Sequence, residues 1–316
     1  MMGSFIPFHA EGSAGKAGPL RDASLPDGQD QADRDADSDF ERTNRRKFIY
    51  LVFSAVLLLG LVSLRDVQWR GSGELHTLME IVATLLAAIV GAMALVRQYT
   101  RPDCTLLFIG AGFLGTAFLD GYHAVVTSSF FAESFPSGLA SLIPWSWVAS
   151  RWLLSVLLLA SWLAWRHELR KGGEGVIAAA AVYWSVAVLT LASFLFFAFV
   201  PLPRAYYPEY FFHRPEEFVP AFFFGLALWG YLAKGAWRHD PFEHWLVLSL
   251  IVGLIGQAAF VSLSGVLFDT LFDAAHLLKK LSYVFVLTGL MISMYHSFRR
   301  VEDSESYLRA LFANMV

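Results

Sequence analysis

The sequence has 316 residues, of which 56% are hydrophobic, 16% aromatic and only 16% charged, and its mean hydropathy is +0.50. Soluble domains carry about 25% charged residues, so this composition excludes an ordinary soluble domain and favours a membrane protein. The single cysteine, Cys104, excludes a disulfide framework. The chain has no basic stretch interleaved with aromatic residues, so we expect no nucleic-acid partner.

The N-terminal segment, residues 1–47, differs from the rest of the chain. Met1 to Asp39 is rich in Gly, Asp, Ser, Ala and Gln. Such a segment cannot bury enough apolar surface to offset the conformational entropy that folding costs. We therefore predict that residues 1–47 form a disordered cytoplasmic tail.

Residues 48–298 contain eight apolar stretches that are long enough, or nearly so, to cross a membrane as helices. A helix needs about 20 apolar residues to span the hydrocarbon core. The predicted spans are Phe48–Leu64, Leu75–Val96, Thr105–Thr127, Trp145–Trp165, Val176–Val200, Val219–Leu232, His244–Ser264 and Leu271–Phe298. The sixth is the shortest. The sequence therefore predicts an all-α, polytopic membrane helix bundle.

The distribution of Lys and Arg predicts the orientation of this bundle. Alternate connections are basic, and together they contain Arg45, Arg46, Lys47, Arg97, Arg101, Arg166, Arg170, Lys171, Lys234, Arg238, Arg299 and Arg300. The other connections contain only Arg65, Arg70, Arg204 and Arg214. Because basic residues accumulate on the cytoplasmic side, both termini are predicted to be cytoplasmic. The expected location is the inner membrane of a bacterium, with multiple passes.

Polar and ionisable residues within the predicted spans are costly in hydrocarbon and indicate function. On the predicted orientation they all lie in the outer half of the bilayer or at its outer boundary. They are His76, Glu80, Asp120, His123, Arg151, Gln257, Asp273, His276, Lys279 and Lys280. We expect them to line a polar cavity that opens towards the periplasm. This cavity would bind a small-molecule ligand or respond to a physicochemical signal. Because some of its residues can titrate, that signal could be pH.

Spacing along the helices indicates which of these residues share a face. His76 and Glu80 are four residues apart, and Asp120 and His123 are three apart. Arg151 has no partner on its own helix, so we expect an ion pair with Asp120 or Glu80. The pair His76 and Glu80 has the helical spacing of metal ligands, but nothing nearby in the sequence completes a metal triad.

The last span carries a second polar stripe. Asp273, His276 and Lys280 can share one face, and His276 and Lys279 another. Either lysine can instead extend its ammonium group to the outer surface. For His123 and His276, three interpretations stay open: interhelical hydrogen bonds, ligand or proton sensing, and ligation of a metal ion or a haem.

Three segments of the sequence resemble a known pattern. They are LLFIGAGFLGTAFLDGYHAV (Leu106–Val125), PWSWVASRWLLS (Pro144–Ser155) and FDAAHLLKKLSYVF (Phe272–Phe285). Together they resemble the third of the families called membrane-associated sensor domains, which stand at the N-termini of bacterial histidine kinases and diguanylate cyclases. The resemblance covers roughly Phe48 to Arg300.

Within this resemblance, individual residues match the family's short motifs. The matching residues are Asp120 and His123 for an Asp-x-x-His step, Trp147 and Arg151 for a Trp and a following Arg, and His276 and Lys279 for a His-x-x-Lys step. The resemblance implies a sensing role for these positions and names no ligand. It also implies a kinase or cyclase output module in relatives.

The C-terminal segment, residues 299–316, is charged and amphipathic. Val301, Leu308, Leu311 and Phe312 recur at helical spacing, which favours a parallel, dimeric signalling helix. Residues 306–316 resemble the opening helix of a PAS domain. We therefore expect a homodimer that is followed by a cytoplasmic output module.

These observations predict a sensory input domain that is not itself an enzyme. The sequence has no phosphate-binding Gly-rich loop, no nucleophile elbow and no HExxH helix. One alternative is a small transporter or channel, which would need polar residues through the inner half of the membrane as well. The other is a redox protein linked to haem or quinone.

Overall fold

The computed structural model describes residues 27–100, 102–128, 135–172 and 177–314, and within them every regular element is a helix. The eight main helices are α1 Asp27–Leu64, α2 Gly73–Thr100, α3 Cys104–Thr127, α4 Leu139–Lys171, α5 Ala179–Phe199, α6 Phe218–Lys234, α7 Pro241–Ile255 and α8 Thr270–Asn314. A π-helical turn, Gly256–Val261, continues α7. The predicted all-α bundle of about eight helices is confirmed.

Seven of the described helices are long and apolar enough to cross a membrane. The exception is α6, Phe218–Lys234, which has 17 residues. At 1.5 Å per residue it is about 26 Å long, slightly less than the hydrocarbon core of about 30 Å. This is the span that the sequence already marks as the shortest.

The N-terminal segment differs from the prediction over its second half, because α1 begins at Asp27 and not near Phe48. The segment from Gln29 to Leu59 contains neither Gly nor Pro, the two residues that most often interrupt a helix. The helix of this segment therefore continues directly into the first apolar span. Residues 1–26 of the predicted disordered tail lie outside the described residues.

The C-terminal helix runs without a break from Thr270 to Asn314. Val301 and Phe312, two members of the predicted signalling stripe, are exposed. The side chains of Leu308 and Leu311 lie outside the described residues, so the dimeric stripe stays a prediction.

Hydrogen bonds between neighbouring connections place four of them at one end of the bundle, here called the 200–217 end. Trp145, at the start of α4, donates from Nε1 to the carbonyl of Pro203 at 2.9 Å. Thr270, at the start of α8, donates to the carbonyl of Val67 at 2.6 Å. At the opposite end, the Tyr50 hydroxyl lies 2.7 Å from Nδ1 of His244. Successive helices therefore run in alternate directions.

Helices α3 and α4 form the centre of the bundle, and α1 lies at its edge. The most apolar window of α3 is 78% buried and that of α4 is 72% buried, whereas the window of α1 is only 11% buried. The residues that α3 and α4 carry near the 200–217 end are therefore shielded from lipid by the other helices.

A close approach of α6 to α4 depends on glycine. A Cβ atom added at Gly230 would lie 2.5 Å from a ring atom of the buried Trp162, a rigid neighbour that has no room to move. At Gly225, one and a half turns earlier on the same helix, the nearest atom would be Leu254 Cδ1 at 3.8 Å, an ordinary contact.

We therefore expect Gly230→Ala to lower the free energy of unfolding by about 1–3 kcal/mol through overpacking. The matched control Gly225→Ala should leave it unchanged or raise it by roughly 0.5–1 kcal/mol, because Ala is the better helix former. Denaturation by SDS in mixed micelles measures both. Equal behaviour of the two variants would contradict the close packing of α4 and α6.

Candidate functional site

The centre of the site is one ammonium group between two carboxylates. Lys279 on α8 donates from Nζ to Oε2 of Glu80 on α2, and the same atom lies 3.2 Å from Oδ1 of Asp120 on α3. Glu80 and Asp120 are fully buried and Lys279 is 2% exposed. In so apolar a setting each charge needs its partner, so this triad links three helices.

Tyr283 and Arg151 extend this ion triad towards α4. The Tyr283 hydroxyl donates to Oδ2 of Asp120 at 2.9 Å, and Arg151 Nη1 donates to the Tyr283 oxygen at 3.2 Å. The guanidinium also lies over the ring of Phe224, 4.8 Å from its centroid. The expected ion pair of Arg151 with Asp120 or Glu80 is therefore wrong: Lys279 takes both carboxylates, and Arg151 reaches Asp120 only through Tyr283.

Three buried histidines from three helices meet beside the triad. Nε2 of His76 lies 3.3 Å from Nε2 of His123, and the ring centroids of His76 and His276 are 4.4 Å apart. Nε2 of His276 lies 3.9 Å from Oε1 of Glu80. The sequence offered nothing to complete a metal triad around His76 and Glu80, but the fold supplies His123 and His276.

Each of two histidines is fixed by a hydrogen bond on its outer side. His123 Nδ1 lies 2.7 Å from the hydroxyl of Ser146, which itself donates to the carbonyl of Ile143 at 2.9 Å. His276 Nδ1 lies 2.7 Å from the carbonyl of Phe272, one turn earlier on α8. Their Nε2 atoms therefore face the centre of the group.

A second buried cluster lies next to the triad, and its carboxylate belongs to a residue that the sequence analysis did not identify. Glu217, which precedes α6, accepts hydrogen bonds at Oε2 from Trp147 Nε1 (3.2 Å) and from Gln257 Nε2. Gln257 belongs to the π-helical turn, a distortion that often occurs at functional positions. Burial, with the neighbouring Glu216, raises the pKa of Glu217 to about 8.

Asp273 does not join this group. Its Oδ2 accepts a hydrogen bond from Trp69 Nε1 at 2.9 Å, so it holds the connection between α1 and α2 against the start of α8. Lys280 is partly buried, and its ammonium group has no hydrogen-bond partner among the described residues. The other predicted site residues lie in one contiguous buried group.

The sequence predicts that the site residues line a cavity that opens towards the periplasm. In the structure, the buried group of site residues is instead closed. A void of only about 10 Å³ adjoins Arg151, Gln257 and Lys279, which is about the size of one water molecule. A larger pocket of about 370 Å³ lies at the 200–217 end and is lined in part by Asp269 and Thr270.

Phe268 lies next to His76 and immediately precedes two residues that line this pocket. Its ring centroid lies 5.2 Å from that of His76, and the next two residues, Asp269 and Thr270, line the pocket. Its φ of 63° is the left-handed conformation, which costs a side-chain-bearing residue about 1–2 kcal/mol. The ring of Phe268 therefore packs against His76 from a backbone conformation that favours glycine.

Comparison with known families gave one match. A family model described as a membrane-associated sensor domain, MASE3, matches residues 73–296, which is well over half of the chain. The match begins at α2 and excludes α1, so it is narrower than the resemblance from Phe48 to Arg300. Comparisons with curated proteins and with solved structures gave no significant match.

We expect Lys279→Met to destabilise the protein by about 3–5 kcal/mol, because it leaves Glu80 and Asp120 buried beside each other without a cation. The matched control is Lys280→Met on the next residue, which should cost less than about 1 kcal/mol. Unfolding by SDS in mixed micelles is the measurement. Adding Glu80→Gln and Asp120→Asn to Lys279→Met should restore most of the loss, and equal stability of the two lysine variants would contradict the triad.

We also expect Phe268→Gly to be more stable than Phe268→Ala by about 1 kcal/mol, since both remove the ring and only Gly adopts positive φ freely. At Phe272, which lies within α8, the same two substitutions should rank in the opposite order, because Gly is the poorer helix former. Denaturation curves of the four variants test this. If Phe268→Ala is as stable as Phe268→Gly or more stable, the backbone of Phe268 is not strained.

Proposed function

The chain belongs to the MASE3 family of membrane-associated sensor domains, and on that premise we propose that it is the sensory input domain of a bacterial signalling protein. The signal acts on the buried group around Lys279. A change in that group alters the packing of α8 and is passed to a cytoplasmic output module, of the histidine kinase, diguanylate cyclase or PAS class.

One observation supports this proposal above the others: the buried carboxylates of α2 and α3 both pair with a single residue of α8. Lys279 pairs with Glu80 and Asp120, and Tyr283, one turn later, bonds to Asp120 as well. Any event that changes the charge or protonation of these carboxylates therefore changes what holds α8 in place.

Helix α8 has the length and continuity that such a relay requires. It continues from Tyr283 to Asn314 without a break, which is about 47 Å at 1.5 Å per residue. A rotation or translation of α8 near the ion triad is therefore carried to residues 299–314 as a rigid movement. Two packings of α8 that differ by a few kcal/mol would act as the two signalling states.

The predicted orientation supports entry of the signal from the periplasm. The basic connections lie at the end opposite the 200–217 end, so the positive-inside rule places the pocket of about 370 Å³ outside. Phe268 packs against His76, and the two residues that follow it line that pocket. The transporter alternative would need a polar path through the other half of the bundle as well, where the core includes apolar residues such as Ala87, Val90 and Leu246.

The test joins the full chain to a reporter histidine kinase and measures basal output with no added stimulus. Tyr283→Phe removes the hydrogen bond to Asp120 without changing the packed volume, and Tyr295→Phe, on the exposed surface of the same helix, is the control. If the hydrogen bond differs between the two states by about 1.4 kcal/mol, output should change about tenfold in Tyr283→Phe. The control should match the unsubstituted protein.

A second substitution ensures that the test does not depend on position 283 alone. Glu80→Gln keeps the shape of the side chain and removes one charge of the ion triad, so it should also shift basal output. Wild-type output from both Tyr283→Phe and Glu80→Gln, at equal amounts of protein in the membrane, would overturn the proposal.

A further inference from the structure

We propose that His76, Glu80, His123 and His276 form a site for one divalent transition-metal ion, which is the ligand that this sensor binds. The inference rests on the proposed function, since it names the ligand of the same group of residues. One nitrogen or oxygen atom of each residue lies within 4.8 Å of the others, and all four residues are fully buried.

The distances between these atoms suit a single ion. A tetrahedral site with bonds of about 2.0–2.1 Å has ligand atoms about 3.4 Å apart. Nε2 of His76 and Nε2 of His123 are 3.3 Å apart, and Nε2 of His276 lies 3.9 Å from Oε1 of Glu80. The four atoms lie within 4.8 Å of one another, so side-chain movements of about an ångström or less would bring them to one ion.

The hydrogen bonds outside the site fix two histidines in the tautomer that binds metal. The Phe272 carbonyl can only accept, so His276 carries its proton on Nδ1 and presents a lone pair at Nε2. Ser146 already donates its proton to Ile143, so its oxygen accepts from Nδ1 of His123, and the Nε2 lone pair of His123 then faces Nε2 of His76. Histidine ligands of metals are characteristically held by such a bond to the second nitrogen.

Two buried acceptors then face each other without a donor between them. Nε2 of His276 and Oε1 of Glu80 have no hydrogen-bond partner among the described residues. Buried polar atoms are nearly always satisfied, and leaving one unpaired costs about 1–3 kcal/mol. A cation between the two atoms satisfies both. The other oxygen of Glu80 is taken by Lys279, so the carboxylate would bind the ion through Oε1 alone.

The donor set indicates the class of ion. Three imidazoles and one carboxylate suit Zn²⁺, Co²⁺, Ni²⁺, Cu²⁺ or Fe²⁺, whereas Mg²⁺ and Ca²⁺ prefer sites made of oxygen atoms. A b-type haem does not fit in this arrangement. The ring of Trp147 lies 3.9 Å from that of His276, and the ring of His76 lies 4.4 Å from it, so aromatic side chains fill the space that a porphyrin would need.

The site is coupled to α8 through Glu80. In the arrangement described, the carboxylate of Glu80 is paired with Lys279. An ion at Oε1 places positive charge near the ammonium group and weakens its attraction to Glu80, so Lys279 would depend more on Asp120. Metal occupancy thereby selects between two pairings of the residue that anchors α8.

The experiment titrates the purified, metal-free full chain in detergent micelles with Co²⁺. Visible d–d absorption reports Co²⁺ that is bound in a four-coordinate site. We expect one Co²⁺ per chain. His276→Ala and Glu80→Gln should lower the affinity at least tenfold, and Ser146→Ala, which frees the outer side of His123, should lower it about 10–100-fold.

His244→Ala is the matched control, because it removes a partly buried histidine at the opposite end of the bundle. It should bind one Co²⁺ with wild-type affinity. Absence of the absorption bands in the wild type, or equal loss in His244→Ala and His276→Ala at unchanged helix content, would overturn the metal site.

Reporter output separates this inference from the proposed function. If the wild type binds no Co²⁺ while Glu80→Gln and Tyr283→Phe still shift output, the metal site fails and the sensor role stands. If Co²⁺ binds as described but neither substitution nor a chelator changes output, the sensor role fails and the metal site stands.

Discussion

The structure depends on one buried interaction, the ion triad of Lys279 with Glu80 and Asp120. Three charges in the middle of an apolar bundle would each cost several kcal/mol in isolation. They are tolerable because α2, α3 and α8 bring them to hydrogen-bonding distance and α4 closes over them with Trp147 and Arg151. Removing Lys279 would leave two buried carboxylates without a cation, so the relative position of these helices is fixed by charge as much as by packing. An interaction of this kind is stable in only a few arrangements, which makes it suitable for a switch.

The eight helices could be predicted because the thickness of the hydrocarbon core imposes a minimum length on every span. Even the weakest prediction, the span from Val219 to Leu232, corresponds to the short helix α6. The pairing of His76 with Glu80 on one face, and of Asp120 with His123 on another, could also be predicted because helical spacing alone determines it. These features depend on local periodicity and need no knowledge of how the helices turn towards each other.

The partners across helices could not be predicted for the same reason. Arg151 and Lys279 are both cations at a similar depth, and only the rotation of α4 and α8 decides which one meets Asp120. Glu217 was not among the candidate site residues, and the one signal of its burial is that the apolar helix α6 begins at the next residue. The left-handed backbone of Phe268, whose ring packs against His76, could not be predicted either, because no propensity scale indicates it.

The unbroken course of α8 from Thr270 to Asn314 has a consequence for whatever follows the chain. Each residue of an α-helix turns the chain by 100°, so inserting one residue after the membrane would present a different side of the downstream helix to its neighbours. Inserting seven residues would nearly restore the original direction, since two full turns take 7.2 residues. For the output module that we propose, the angular phase of the junction would therefore be part of the relay, and an insertion of seven residues would preserve it better than an insertion of one.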